Sequence, residues 1–170
     1  MGQVALIAHL AKRFVGSLSR RPPAPVDEMW ARDSLLPGER GLWVQMSNAD
    51  RRHAIGVARH AVAALGRERA TRPVRAAALL HDVGKISSGF GPVARAGATV
   101  WAGVRGRSRV AAGDGRVARY LRHDAIGAAL LAEAGSDSVT VAWAAEHHRP
   151  PRDWTLPADV ADALKAADDD

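Results

Sequence analysis

A histidine and an aspartate, His81 and Asp82, are adjacent in the run Ala-Ala-Leu-Leu-His-Asp-Val-Gly-Lys, and both side chains can bind a metal ion. Further histidines and acids recur on both sides of this pair. These additional potential ligands are His53, His123, His147, His148 and Asp168. Because the pattern spreads the seven residues over five predicted helices, we expect them to meet at one metal centre. The pattern is typical of a helical metallohydrolase.

The position of the pair on its helix limits how it can bind metal. Neighbouring residues of an α-helix lie about 100° apart around the axis, so both side chains reach one ion only if that ion lies beside the helix near its end. Gly84 supplies that end. His53, on the preceding long helix, and Asp168, on the last helix, are candidates for the remaining ligands.

A second ion needs imidazoles of its own. His123, His147 and His148 can supply them, with Asp82 bridging, as in two-metal sites whose ions lie about 3.5 to 4 Å apart. With a single ion, the three histidines would instead contact phosphate or support the ligands. The sequence leaves the number of ions open. We expect the remaining histidines, at positions 9 and 60, to lie outside the centre.

The chain contains no cysteine, which excludes disulfides and thiolate metal sites. Imidazole, carboxylate and water must then hold any transition metal, a ligand set that favours Mn²⁺ or Fe²⁺ and leaves Ni²⁺, Co²⁺ and Zn²⁺ open. The absence of cysteine fits a reducing compartment, and we find no signal peptide, lipid anchor or transmembrane stretch. We therefore expect a cytoplasmic protein.

Apolar residues recur at helical spacing along most of the 170 residues. They predict helices over residues 4–18, 49–65, 75–82, 92–104, 116–134 with a possible break, and 139–148. A further short helix is expected to start at Asp33-Ser34 and Pro37, and the last helix runs from Pro157 to the end. Prolines make 20–25 a linker, and the glycines at 106, 113 and 115 indicate a loose loop. Without any hairpin signal, the sequence predicts an all-α, single-domain helical bundle.

Two parts of the chain differ in their predicted role. Residues 1–49 combine N-terminal helices with the proline-rich linker, and we interpret them as a cap over the site or an attachment surface. Residues 50–170 carry all seven candidate ligands, and we interpret them as the metallohydrolase domain.

Positive charge is concentrated in residues 83–122. The formal net charge is +6, and this stretch holds seven arginines and Lys85 against one acid, Asp114. Such a surface would attract a phosphorylated substrate, an acidic partner or a membrane. Alternatively, the arginines only keep the protein soluble. Nucleic acid is a less favoured partner, because no recognition motif accompanies the charge and few aromatic residues are available for stacking.

The predicted helix over 92–104 has two interpretations. Its apolar residues Val93, Val100, Trp101 and Val104 lie near one face. They can pack into the core, as in most amphipathic helices, or lie on an anionic membrane together with the arginines that follow.

Five blocks of the sequence carry a resemblance to a known family. They are Arg52-His53-Ala54, Leu80-His81-Asp82-Val83-Gly84-Lys85, His123-Asp124-Ala125-Ile126-Gly127, Glu146-His147-His148 and Ala167-Asp168. From about Asp50 to Asp168 the chain resembles the HD-domain metal-dependent phosphohydrolases, and among them the His-rich subset that binds two metals. Two subfamilies fit less well. The Gly-Tyr-Pro signature of the HD-GYP enzymes is missing after His148, and the acids that stringent-response hydrolases have after His-Asp are replaced by Val83-Gly84-Lys85.

The resemblance implies an HD-type bundle and a chemical role for several residues. Asp82 would bridge two metals, a metal-activated hydroxide would be the nucleophile, and Lys85 would help to hold a phosphate. Arg122 and Arg149 are further candidates for phosphate contacts, because each adjoins a candidate ligand in sequence. The expected activity is hydrolysis of a phosphate ester in a nucleotide or a cyclic-dinucleotide-like compound. The alternative is a non-catalytic module that senses a nucleotide or binds a partner. Such a module could also associate with a membrane surface.

Overall fold

The computed structural model describes residue 19 and residues 21–169, and within them every regular element is a helix. The α-helices are α1 (Pro25–Asp33), α2 (Pro37–Trp43), α3 (Asn48–Arg69), α4 (Arg72–Leu80), α5 (Pro92–Arg105), α6 (Arg107–Ala111), α7 (Arg116–Leu121), α8 (His123–Glu133), α9 (Ser138–Glu146) and α10 (Ala158–Asp169). Short 3-10 helices follow α4 (Val83–Ser88) and α9 (Pro151–Asp153). The predicted all-α fold is confirmed.

Helix α4 lies at the centre of the bundle, between α3 and α9. Its alanines and leucines from Ala76 to Leu80 are all fully buried, so this short helix is covered on every side. Helix α10 packs against the outer side of α3. The buried indoles of Trp43 and Trp143 complete the core. The carboxyl end of α4, where the His-Asp pair begins, therefore lies in the middle of the protein.

The described helices before residue 50 contribute to the same core. Ala31, Leu35, Trp43 and Met46 are buried in the cluster that α3, α4, α9 and α10 form. The indole of Trp43 also donates a hydrogen bond of 2.8 Å to Glu28 Oε1. The predicted helix over 4–18 lies outside the described residues, and the division at residue 49 stays a prediction.

Three predicted boundaries differ from the structure. Pro25, assigned to the linker, begins α1, because a proline at the first helical position lacks only an N–H that would have no partner. Asp33 and Ser34 therefore end a helix and do not start one. The predicted loose loop contains α6, and the possible break in 116–134 is real and lies at Arg122.

Helix α5 exposes the apolar stripe that the sequence could have placed in the core. Of the α5 residues whose burial is described, 93–105, only Ala98 and Ala102 are buried, whereas Val93, Val100 and Val104 are largely exposed. The core-packing interpretation of the stripe is therefore wrong. Among the described helices, α5 included, none has the length and apolar character needed to cross a membrane.

Candidate metal centre

The seven predicted ligands meet at one place, and most of them lie at helix ends. His81 and His147 are the residues that directly follow α4 and α9, and Asp82 and His148 come next. His123 begins α8 just after α7 ends. The long helix α3 contributes His53, and the last turn of α10 contributes Asp168.

A glycine lets two of these elements come close enough. A Cβ atom on Gly84 would overlap the carbonyl oxygen of His123 and lie 2.6 Å from the amide nitrogen of Gly127. The backbone after the His-Asp pair therefore lies directly against α8. This contact brings His123 next to Asp82.

One group of ligands lies on the side of α3 and α10. His53, His81 and Asp82 offer ligand atoms that all lie within 4.8 Å of one another. Asp168 joins them, since its Oδ1 lies 3.1 Å from His53 Nε2 and 3.4 Å from His81 Nε2. His81 Nε2 is also 3.4 Å from Asp82 Oδ2.

The second group lies on the side of α8 and α9. Asp82, His123, His147 and His148 again offer ligand atoms within 4.8 Å of one another. Asp82 Oδ1 lies 3.3 Å from His123 Nε2 and 3.7 Å from His147 Nε2, and the Nε2 atoms of His123 and His148 are 3.2 Å apart. The two oxygens of Asp82 therefore face different histidine groups. This places Asp82 where a bridging carboxylate would stand.

Backbone carbonyls select the tautomer of three histidines. The Nδ1 atoms of His81, His123 and His147 lie 2.9 Å, 2.7 Å and 3.1 Å from carbonyl oxygens of the residues three positions earlier. A carbonyl can only accept, so each Nδ1 carries the proton and donates it. In the neutral ring, Nε2 then has a free lone pair directed into the centre, the arrangement of a metal-ligating histidine.

Several buried polar atoms at the centre lack a hydrogen-bond partner within the described chain. They are His81 Nε2, Asp82 Oδ1 and His147 Nε2. Buried polar atoms are nearly always satisfied, because leaving one without a partner costs about 1–3 kcal/mol. A divalent cation in each group would satisfy all three. The residues present therefore fit the metal site that their types suggested.

The electrostatics of the centre keep Asp82 and His148 in the state that metal binding requires. Burial alone would raise the pKa of Asp82, but the charges of Lys85 and His81 hold it well below its ordinary value. Burial, together with His147 and His123, lowers the pKa of His148 to about 4, so this imidazole is neutral at physiological pH.

His81 differs, because two carboxylates surround it. Burial alone would lower its pKa, but the charge of Asp82 and the nearby carboxylate of Asp168 raise the pKa of His81 to about 10. A cation that binds His81 therefore displaces a proton.

The three predicted phosphate-binding residues have different surroundings. The ammonium group of Lys85 contacts Asp82 Oδ2 directly, so this side chain lies at the centre. Arg122 instead donates to the carbonyl of Gly113 at 3.1 Å. Arg149 is exposed. Its backbone N–H donates to the carbonyl of Glu146 at 2.7 Å, and its carbonyl accepts from the indole of Trp154 at 3.1 Å.

Sequence reasoning missed three residues beside the centre. The ring of Tyr120 is stacked on His123, with centroids 5.8 Å apart and an interplanar angle of 17°. Asp50 forms a two-pronged ion pair with Arg95 of α5, at 2.5 Å and 2.8 Å. The Ser-x-x-Asp spacing from Ser47 signalled only a helix cap, which the 3.1 Å bond from Asp50 N to Ser47 Oγ forms.

Comparison with known proteins agrees with this geometry. The sequence profile of a family described as "Cas3, HD domain" matches residues 40–167, about three quarters of the chain. The chain belongs to this HD-domain family. Six of the seven candidate ligands fall inside the matched HD region, and Asp168 follows it by one residue. The resemblance to HD-domain proteins is thus confirmed.

HD domains bind divalent metals, and the His/Asp cluster of this HD protein can hold such ions. Neither the curated proteins nor the solved structures yielded a match to it.

Proposed function

We propose that this HD protein hydrolyses a phosphodiester bond in a nucleotide or nucleic-acid substrate with the help of two divalent cations. The observation that carries the proposal is the position of Asp82, whose two oxygens face two separate histidine groups. Two-metal sites use such a shared carboxylate in in-line displacement at phosphorus.

The ligands divide between the two ions. His53, His81, Asp82 and Asp168 would hold one ion, and Asp82, His123, His147 and His148 the other. When bound, such ions lower the pKa of water to generate the nucleophile and neutralise the phosphoryl oxygens. The mixed imidazole and carboxylate set favours Mn²⁺ or Fe²⁺.

The remaining residues of the centre position the substrate. His148 is the exposed member of the cluster, so the substrate approaches from its side. Lys85 lies beside Asp82, where its ammonium group can hold a phosphoryl oxygen as a point charge. Arg149 follows His148 directly and Arg122 precedes His123, and their guanidinium groups would contact the outer phosphate oxygens.

Membership of the family supports the choice of substrate class. HD families act on nucleic-acid or nucleotide substrates, and the HD domain of Cas3 is a nuclease. A phosphodiester is the bond that nucleic acids share with cyclic dinucleotides. We therefore place a phosphodiester ahead of a phosphomonoester.

The test combines metal analysis with hydrolysis. Protein purified without a chelating tag would be analysed for bound metal, and then assayed with Mn²⁺ on bis(p-nitrophenyl) phosphate, p-nitrophenyl phosphate, a cyclic dinucleotide and a single-stranded oligonucleotide. We expect about two ions per chain and faster cleavage of the diesters. Asp82→Asn should remove both ions and the activity. His60→Gln, which changes a histidine of α3 outside the ligand groups, is the control and should keep both.

Two results would contradict the proposal. Absence of turnover with every ion, in a protein that still binds metal, would favour a nucleotide-sensing module. Undiminished turnover by Asp82→Asn would exclude the cluster as the catalytic site.

A further inference from the structure

Most of the exposed described residues of α5 are apolar, and its exposed polar residues, Thr99 and Arg105, lie on a flank of the helix and at its carboxyl end. Measured around the helix axis at about 100° per residue, Val100, Val93 and Val104 lie about 200° to 240° from the buried Ala98. Ala96, Gly97, Trp101 and Gly103 occupy the rest of that side, and all of them are exposed. A surface helix normally turns its polar face to water, and here the orientation is reversed.

The degree of exposure is high for side chains of this type. Val93, Val100 and Val104 are 66%, 70% and 81% exposed, and Trp101 is 47% exposed. Single exposed apolar residues are ordinary, whereas a contiguous apolar helix face marks a docking surface.

The chain that follows α5 is strongly basic. Arg105, Arg107 and Arg109 are exposed, and no acidic side chain pairs with them within the described chain. The nearest acid in sequence is Asp114, and the acid that pairs with α5, Asp50, is already bound to Arg95. The apolar face therefore ends beside three uncompensated positive charges.

We propose that α5 and the following arginines form a docking surface for an anionic lipid bilayer. An aliphatic face with a tryptophan at its edge can enter the boundary between headgroups and acyl chains, while the arginines contact anionic headgroups. Nucleic acid fits less well, because phosphates gain nothing from a row of valines. The surface lies outside the metal centre, so this inference is independent of the proposed function.

The anchoring of α5 fits this role. Ala98 and Ala102 attach it to the protein, and the Arg95–Asp50 pair fixes it to the start of α3. The helix thus packs beside α6 and α7 with its apolar side outward. Its 14 residues make a face about 21 Å long.

The test is co-sedimentation of the full chain with lipid vesicles, in the presence of a chelator so that no cation bridges protein and lipid. We expect binding to vesicles of phosphatidylcholine with phosphatidylglycerol, and little binding to phosphatidylcholine alone. Val100→Ser/Val104→Ser and Arg105→Gln/Arg107→Gln/Arg109→Gln should each weaken binding roughly tenfold or more. Circular dichroism would verify that these variants, changed only at exposed positions, remain folded.

Matched controls exist elsewhere on the surface. Val26→Ser/Val44→Ser removes two valines that are also more than half exposed. The triple variant Arg32→Gln/Arg67→Gln/Arg152→Gln removes the same charge from other exposed sites. Both controls should bind as the wild type does. As a second measurement, brominated lipids should quench tryptophan fluorescence in the wild type and do so less in Trp101→Phe.

Several outcomes would overturn the proposal. They are absence of binding to anionic vesicles, equal binding to both vesicle types, or equal loss in the control variants. Self-association that Val100→Ser/Val104→Ser abolishes, without vesicle binding, would assign the face to a second copy of the chain. Oligonucleotide binding that only the triple arginine variant loses would assign the basic segment to nucleic acid.

Discussion

Three histidines of the centre have their orientation fixed by their own backbone. His81, His123 and His147 each use Nδ1 to bond a carbonyl three residues earlier, which leaves Nε2 for a cation. His53 and His148 have no such bond, and their Nε2 atoms contact Asp168 and His123. Each of these two belongs to a different ligand group, so they can separate the two proposed ions experimentally.

Replacing one histidine from each ligand group tests whether the ligands divide into two metal sites. In His53→Ala one ion loses a ligand, and in His148→Ala the other ion does. We expect each variant to retain about one ion per chain by elemental analysis, while Asp82→Asn retains none. If His53→Ala and His148→Ala both lost all metal, or both kept two ions, the division would be wrong.

At this scale the sequence predicted the cluster well. Asp168 is the most informative case, because it belongs to the run Asp168-Asp169-Asp170, and terminal residues are often poorly ordered. The contacts with His53 and His81 keep its side chain only 14% exposed. Tyr120 and the Asp50–Arg95 pair could not be predicted, since their roles depend on which helices pack together and not on spacing within one helix.

At the scale of the elements, the contact between the segment after α4 and α8 depends on Gly84. Gly84→Ala would force a Cβ atom against the carbonyl oxygen of His123, and backbone cannot yield as a flexible side chain does. We expect a loss of about 1–3 kcal/mol in the free energy of unfolding, measured by urea denaturation, together with weaker metal binding.

The matched control is Gly56→Ala, for which we expect a change of opposite sign in the free energy of unfolding. Gly56 lies inside α3, and a Cβ there would meet no atom within 4 Å. Gly56→Ala should therefore stabilise the protein by up to about 1 kcal/mol, the difference in helix propensity. Equal effects of the two substitutions would show that the contact at Gly84 is not tight.

The ion pair between α3 and α5 predicts a pH-dependent stability. Burial alone would raise the pKa of Asp50, but Arg95 holds it below its ordinary value. A carboxyl group with a lowered pKa stabilises the fold above its unfolded pKa, about 3.9, and this contribution is lost as the pH falls through the folded pKa. Arg95→Met should cost about 1–3 kcal/mol at pH 7, because it leaves Asp50 without its cation.

The measurement is urea denaturation of wild type and Arg95→Met at several pH values. The difference between them should narrow as the pH falls below about 4, where Asp50 of the unfolded chain becomes protonated, and then through the lowered pKa of Asp50 in the folded wild type. Arg152→Met, at a side chain that is 83% exposed, should change stability by less than about 0.5 kcal/mol. A difference that grew toward low pH would contradict the assignment.

Helix boundaries were predicted less reliably than helix positions. Pro25 was assigned to a linker because a proline run is typical of one, although a proline also begins helices well. The exposure of the α5 stripe could not be predicted from periodicity, since spacing places residues on one face without telling which face is buried.

At the scale of the whole molecule, the proposed ligands connect five helices of the bundle, α3, α4, α8, α9 and α10. Metal binding should therefore stabilise the entire fold. A concentration of free Mn²⁺ about 100-fold above Kd would add about 2.7 kcal/mol, which corresponds to roughly 5–10 °C in Tm for a domain of this size. Differential scanning calorimetry with Mn²⁺ and with a chelator measures this shift.

Asp82→Asn is the control for the thermal shift and should melt at the same temperature with and without Mn²⁺. A shift of equal size in this variant would mean that the ions stabilise the protein from sites outside the cluster.

The convergence of helix ends has a consequence for the order in which ligands arrive. Helices α4 and α9 direct their carboxyl ends at the centre, and the aligned peptide dipoles give each end a partial negative charge of about half a unit. Together with the carboxylates of Asp82 and Asp168, they balance the positive charges of Lys85 and of a protonated His81. For the proposed function, each cation that binds therefore adds positive charge to a balanced centre, and we expect an anionic substrate to bind more tightly after the metal than before it.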